Sequence, residues 1–173
     1  MTEIQILKGG MRRRYPGCFP AQVEDTIKKI LDSKPGGPGP VLHLFSGSSD
    51  IGDVRVDLDH PAATHHTDVL EFVDRAEAKQ KWEWIVLDPD YYKKPLHRKE
   101  YAKRFCGGLA GDVKKQQKIK AFLTTHAENI LWFDVVAPFL PGFEIYKAWV
   151  FLPGGFFRVR ILTWYKRIKQ DMG

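Results

Sequence analysis

The sequence predicts a single α/β domain whose sheet is mostly parallel and closes with an antiparallel hairpin. Three observations predict it. A short apolar strand, Val41 to Leu44, runs directly into the small-residue turn Phe45-Ser46-Gly47-Ser48-Ser49, the way a ligand-binding α/β sheet usually begins. Two further strand-like segments end in acids, one at Asp57 and Asp59 and one at Asp88-Pro89. The last stretch, Phe143 to Leu152 and Phe157 to Arg167, is joined through Pro153-Gly154-Gly155, a turn tight enough to fold two strands back on each other.

Taken in order, residues 1–18 read as an irregular basic entry, interrupted by Gly9-Gly10 and Pro16-Gly17. From Phe19-Pro20 the pattern turns helical: Phe19, Val23, Ile27, Ile30 and Leu31 recur at steps of three and four, and Pro20 suits a first turn. The helix is expected to end near Asp32, where the Pro/Gly-rich connector 33–40 breaks it. After the strand and its turn comes a second strand, Asp53 to Asp59. Too few residues separate it from the turn for a crossover helix, which normally needs ten or so.

His65 to Leu70 is expected as a short third strand and Phe72 to Gln80 as a polar turn or helix. Trp82 to Leu87 is a buried strand that runs into Asp88-Pro89-Asp90-Tyr91-Tyr92, a Pro-stiffened polar loop of the kind on which α/β proteins place chemistry. Residues 93–120 carry ten Lys or Arg against Glu100 and Asp112. This segment is read as two helical pieces broken at Gly107-Gly108 and Gly111, the second continuing towards Glu128. Ile130 to Val136 is a further buried strand, and no internal repeat is evident.

Composition bounds the function. A chain of 173 residues that is 43% apolar and 13% aromatic fits one compact domain, 1–173, with no separate target-recognition region. The formal charge of +6 points to an anionic partner. Cys18 and Cys106 stand far apart without metal-type spacing, so no disulfide framework or Cys-based zinc site is expected. The order of charge and apolar residues at the start does not match a secretory signal, and no 18-residue apolar run occurs, so a cytoplasmic protein without a membrane partner is expected.

Strand, glycine turn, acidic strand end, a Thr-Asp-Val segment and Asp-Pro-x-Tyr, in that order, resemble the class I S-adenosylmethionine-dependent methyltransferases, particularly the amino-group methylases of nucleic acids. The resemblance spans roughly residues 17–167. It implies a Rossmann-like methyltransferase fold with seven strands and S-adenosyl-L-methionine as the cofactor. Phe45, Ser46, Gly47 and Ser48 match the glycine motif that cradles the methionine part. Asp57, or Asp59, is implied as the acid that accepts from the ribose hydroxyls, and Asp68 as the acceptor for the adenine amino group. Phe19 and Pro20 are similar to the Phe-Pro motif that packs on the cofactor.

Asp88, Pro89, Asp90 and Tyr91 resemble the catalytic Asp-Pro-Pro-Tyr motif. In that motif the carboxylate and a loop carbonyl hold an exocyclic amine against the sulfonium methyl, while the ring stacks on the extruded base. Lys93, Lys94, Arg98, Lys99, Lys103 and Arg104 follow directly and are expected to contact phosphates. The implied function is methyl transfer to an amino group, of adenine in DNA first and in RNA second. The chain departs from the family pattern at His43, Ser49 and Asp90 and in its short first crossover.

Each residue also has a plainer reading. Asp57 and Asp59 can be solvated strand ends, Asp88 a turn initiator, Tyr91 and Tyr92 a cover for the sheet edge, and the basic segment a solvated helical face. His60, His65 and His66 near the two acids fit no standard ligand spacing, so no metal is expected. Two rival functions remain open: a non-catalytic nucleic-acid-binding protein on a decayed methyltransferase fold, and a small-molecule methyltransferase.

Overall fold

The computed structural model describes residues 3–8, 19–89, 112–152 and 159–169. Eight strands form one sheet. They are β1 (Glu3–Lys8), β2 (Val41–Leu44), β3 (Val54–Asp57), β4 (His65–His66), β5 (Trp82–Leu87), β6 (Ala127–Asp134), β7 (Phe143–Leu152) and β8 (Arg160–Arg167). Their order across the sheet is β1-β7-β8-β6-β5-β2-β3-β4. Strands β6, β5, β2, β3 and β4 run parallel to one another, β8 runs antiparallel to both β6 and β7, and β1 lies parallel to β7.

Helix α1 (Ala21–Asp32) forms because Val23, Ile27, Ile30 and Leu31 fall on one stripe, all buried against one face of the sheet. The Pro20 carbonyl accepts from Val23 and Glu24 N–H, opening the helix. Ser33 closes it, donating its N–H to the Lys29 carbonyl and its hydroxyl to that of Ile30. The opposite face of the sheet is covered by α2 (Val69–Phe72) and α3 (Val113–His126), with a 3-10 turn at Ala76–Lys79. Two apolar layers result: Leu42, Leu44, Ile85 and Leu87 face α2 and α3, while Val41, Trp84, Val86, Leu131 and Phe133 face α1. Strands β2 and β5 are buried on both faces, which is why their sequences are nearly continuous apolar runs.

Several expectations are corrected here. The sheet is a mixed one of eight strands rather than a mostly parallel, seven-stranded Rossmann-like methyltransferase sheet, and among the described residues it carries three α-helices only. The physical reason is visible in the connections: β2 passes to β3 through residues 45–53 and β3 to β4 through 58–64, neither with a helix. The supposedly irregular entry contains β1, whose pairing with β7 is a long-range contact that no local pattern encodes. The third strand stops at His66, because Asp68 accepts the Leu70 N–H and starts α2. The α1 helix, β5 and the β7/β8 pair fall where the sequence puts them, β6 runs from Ala127 to Asp134 rather than from Ile130 to Val136, and the 153–155 turn and the 107–111 break lie outside the described residues. Among the described residues, no helix is long and apolar enough to cross a membrane.

Candidate functional site

Because β6, β5, β2 and β3 are parallel, Asp134, Leu87, Leu44 and Asp57 end at one edge of the sheet. The chain moves outward in opposite directions from the β2/β5 boundary, which makes that edge a topological switch point, where open α/β sheets bind ligands. Antiparallel β8 brings its first residue, Arg160, to the same edge.

The turn after β2 is bent sharply. Phe45 has φ +61° and Gly47 φ +51°; for Phe45 this is a sparsely populated, strained conformation that its surroundings must hold. The hold comes from two directions. Ser46 N–H donates to the Val56 carbonyl at 3.0 Å, and Gly47 N–H donates to Asp57 Oδ2 at 3.0 Å. The other carboxylate oxygen of Asp57 accepts from the N–H groups of Asp59 (3.1 Å) and His60 (3.0 Å). Asp57 therefore ties the glycine turn to its own strand end. A carboxylate offers about four acceptor positions, so three main-chain donors leave Asp57 about one for a ligand hydroxyl, not the pair implied by a ribose clamp.

Helix α1 is stitched to this turn along its polar edge. Ser49 Oγ donates to Glu24 Oε1 at 3.2 Å, and Lys28 Nζ sits 2.7 Å from Asp50 Oδ1. That contact raises the Lys28 pKa through its hydrogen bond to Asp50 and lowers that of Asp50.

Beneath the edge runs a continuous buried stack. The Phe19 ring lies parallel to the His43 imidazole with centroids 5.2 Å apart, and meets Phe133 edge-on at 5.9 Å. The Arg160 guanidinium lies 3.8 Å over the Phe133 ring, and its Nη2 reaches Asp88 Oδ1 at 2.5 Å. Phe19, placed with the cofactor by sequence, is thus connected to Asp88, placed with catalysis. Asp88 and Arg160 side chains are only 9% and 5% exposed, so this ion pair is desolvated on both sides.

Burial pushes the His43 imidazole down to about 4, against the opposing effect of its hydrogen bond to the Ile51 carbonyl. His43 is therefore neutral near pH 7. Its Nδ1 faces that carbonyl at 3.2 Å, so the tautomer protonated at Nδ1 satisfies the contact and leaves Nε2 an acceptor, buried and without a hydrogen-bond partner. The Ser46 hydroxyl is likewise buried without one. Asp134, at the end of β6, is pushed up to about 6, by burial first and with the Asp88 charge adding to it, although Val135 N–H and Trp132 Nε1 donate to it.

Of the residues named from sequence, Phe45, Ser46, Gly47, Ser48, Asp57, Asp88 and Pro89 gather at this edge, with Phe19 and Pro20 entering from α1. Asp59 is exposed beside Asp57, and Asp68 is exposed with one oxygen capping α2. Asp90, Tyr91, Lys93, Lys94, Arg98, Lys99, Lys103 and Arg104 lie outside the described residues. Sequence reasoning missed Arg160, Phe133 and Asp134. Arg160 carried a usable signal: it shares the period-two face of Leu162 and Trp164, and a charge at an inward strand position demands a buried partner. Among the described residues, no group of three or more His, Cys, Asp or Glu could hold a metal ion. No protein-family model matches the chain, and no curated protein matches it in sequence.

Proposed function

We propose that the protein transfers a methyl group from S-adenosyl-L-methionine to an exocyclic amino group, that of adenine in DNA or RNA. One observation carries this reading: the strained turn 45–49, the Asp57 carboxylate that anchors it, and Asp88-Pro89 stand at the carboxyl ends of three adjacent parallel strands, β2, β3 and β5. That edge suits a nucleoside-bearing cofactor. The small residues at 46–49 let its backbone approach the methionine part. Asp57, with its one remaining acceptor position, and exposed Asp59 share the ribose hydroxyls. In the reaction the amine lone pair forms the N–C bond as the C–S bond breaks, the electron pair stays on sulfur to give S-adenosylhomocysteine, and the amine proton leaves to solvent. Arg160 holds Asp88 in a fixed orientation so that its carboxylate aligns the amine; alignment of this kind supplies much of the rate in a two-substrate transfer.

The second reading, a non-catalytic nucleic-acid-binding protein, is favoured by the same Asp88–Arg160 pair, because a guanidinium already engages the proposed acceptor. Calorimetric titration with S-adenosylmethionine and S-adenosylhomocysteine, followed by incubation of labelled cofactor with DNA, RNA and metabolite pools, separates the two. Binding heat with label in nucleic acid supports methyl transfer. Absence of heat, with strongly salt-dependent nucleic-acid binding, supports the second reading.

A further inference from the structure

On the α1 face of the sheet, away from the edge described above, β1, β7, β8 and α1 line a groove of about 460 Å³. Its aromatic side is built from Tyr146, Trp149 and Trp164, and Lys29 and Ser33 of α1 form the opposite wall. The β7 strand is irregular between Ile145 and Lys147, and this irregularity turns Tyr146 onto Trp164 with centroids 4.7 Å apart and rings edge-on. Tyr146 is 45% exposed. The Lys166 ammonium lies 3.3 Å over the Tyr146 ring and 4.7 Å over that of Trp164, and Lys147 reaches over Trp149 at 5.3 Å. Glu144 is paired in register with Lys166, and Glu3 with Lys147, so acids stand beside both lysines.

Ammonium groups set over the π-faces of Tyr146, 45% exposed, and half-buried Trp164 match the chemistry of a single nucleic-acid strand, whose bases stack and whose phosphates seek ammonium groups. A duplex hides its base faces and would leave the rings unused. We infer that this groove binds single-stranded nucleic acid, with one base stacked on Tyr146 against Trp164 and the adjoining phosphates held by Lys29 and Lys166. Lys166 now covers the ring that the base takes. On binding, its ammonium moves from the ring face to the phosphate, exchanging one favourable contact for another. This inference stands apart from methyl transfer, since it invokes neither the cofactor nor Asp88.

The test is fluorescence anisotropy with labelled oligo-dT and oligo-U across a salt series, without cofactor, on the full chain and on Tyr146→Ala, Tyr146→Phe and Lys166→Ala, each checked for folding by circular dichroism. The groove reading expects binding of at least one oligomer, about tenfold weaker in Tyr146→Ala and within about twofold of the parent in Tyr146→Phe, which keeps the stacking face. It expects Lys166→Ala to bind more weakly with a salt slope shallower by roughly one. No binding by the parent chain, unchanged affinity in folded Tyr146→Ala, or equal loss in Tyr146→Ala and Tyr146→Phe overturns it. A loss confined to Lys166→Ala also overturns it, because charge alone would then account for the binding.

Discussion

Arg160 and Asp88, 72 positions apart in sequence, meet at 2.5 Å between Nη2 and Oδ1 in a setting nearly closed to solvent. Breaking a buried pair by removing one partner strands the other charge, which typically costs about 3–5 kcal/mol. Arg160→Ala is therefore expected to lose stability in that range by urea unfolding, and the double change Arg160→Met with Asp88→Leu to recover much of it. A single-variant loss below about 1 kcal/mol, the scale of an exposed pair, contradicts the burial argument. For catalysis, Asp88→Asn is the sharper change because it keeps the side chain's shape. It should abolish methyl transfer while S-adenosylmethionine still binds, and undiminished turnover removes Asp88 from the mechanism.

Asp57 joins the glycine turn to β3 through Gly47, Asp59 and His60 N–H groups. Asp57→Ala releases all three and frees the strained Phe45 turn, so cofactor affinity should fall by about tenfold or more, an energy of the order of one or two charge-assisted hydrogen bonds. Calorimetry reads this directly. Asp59→Ala, which loses an exposed side chain only, should change affinity less than Asp57→Ala does.

His43 is buried neutral, with its folded-state pKa near 4 against an ordinary 6.5. The unfolded chain therefore takes up this proton first as pH falls. Stability from His43 is present above pH 6.5 and is lost as pH drops towards 4, by up to about 3 kcal/mol. Unfolding free energies measured across that window should decline in the parent chain and decline less in His43→Leu. Parallel profiles would place the titration elsewhere.

Asp134 titrates with the opposite sign. Its folded carboxyl is raised to about 6, so the folded chain holds the proton longer than the unfolded one, and stability is lost as pH rises from about 4 to about 6. Asp134 is partly solvated, so this term is discounted to about 1–3 kcal/mol. Asp134→Asn carries no such titration, although it loses one acceptor facing Val135 N–H or Trp132 Nε1. Relative to the parent, the variant should therefore gain stability between pH 4 and 7 whatever its offset at pH 4. A constant difference across the window defeats the assignment.

How far sequence reaches here depends on whether the cause of a feature is local. The stripe Val23, Ile27, Ile30, Leu31 specifies α1 by itself, and the runs Val41–Leu44 and Trp82–Leu87 specify strands buried on both faces. The absence of a helix between β2 and β3 was legible from spacing alone. Strand β1 was not, because Ile4 and Ile6 acquire their pairing only from β7, nor was the early stop of β4, where the Asp68 cap outweighs the strand preference of Val69. At the site, the turn and the acids at 57 and 88 could be read from their order. Arg160 and Phe133 could not be tied to them, since nothing in the chain says which strand β8 will flank.

The pairing of β1 with β7 has a consequence for the order of assembly. Glu3 meets Lys147, 144 positions along the chain, so closing that contact carries the largest loop-closure entropy of any strand pair in the sheet. Little burial offsets it, since Ile4, Gln5 and Ile6 all face solvent. The β2, β3 and β5 strands close over far shorter distances onto a sealed core. The sheet is therefore expected to grow outward from β2, β3 and β5, with β1 docking last and opening first. Native-state hydrogen exchange should find β1 amides the least protected among the strands, in openings that leave the 45–49 turn intact.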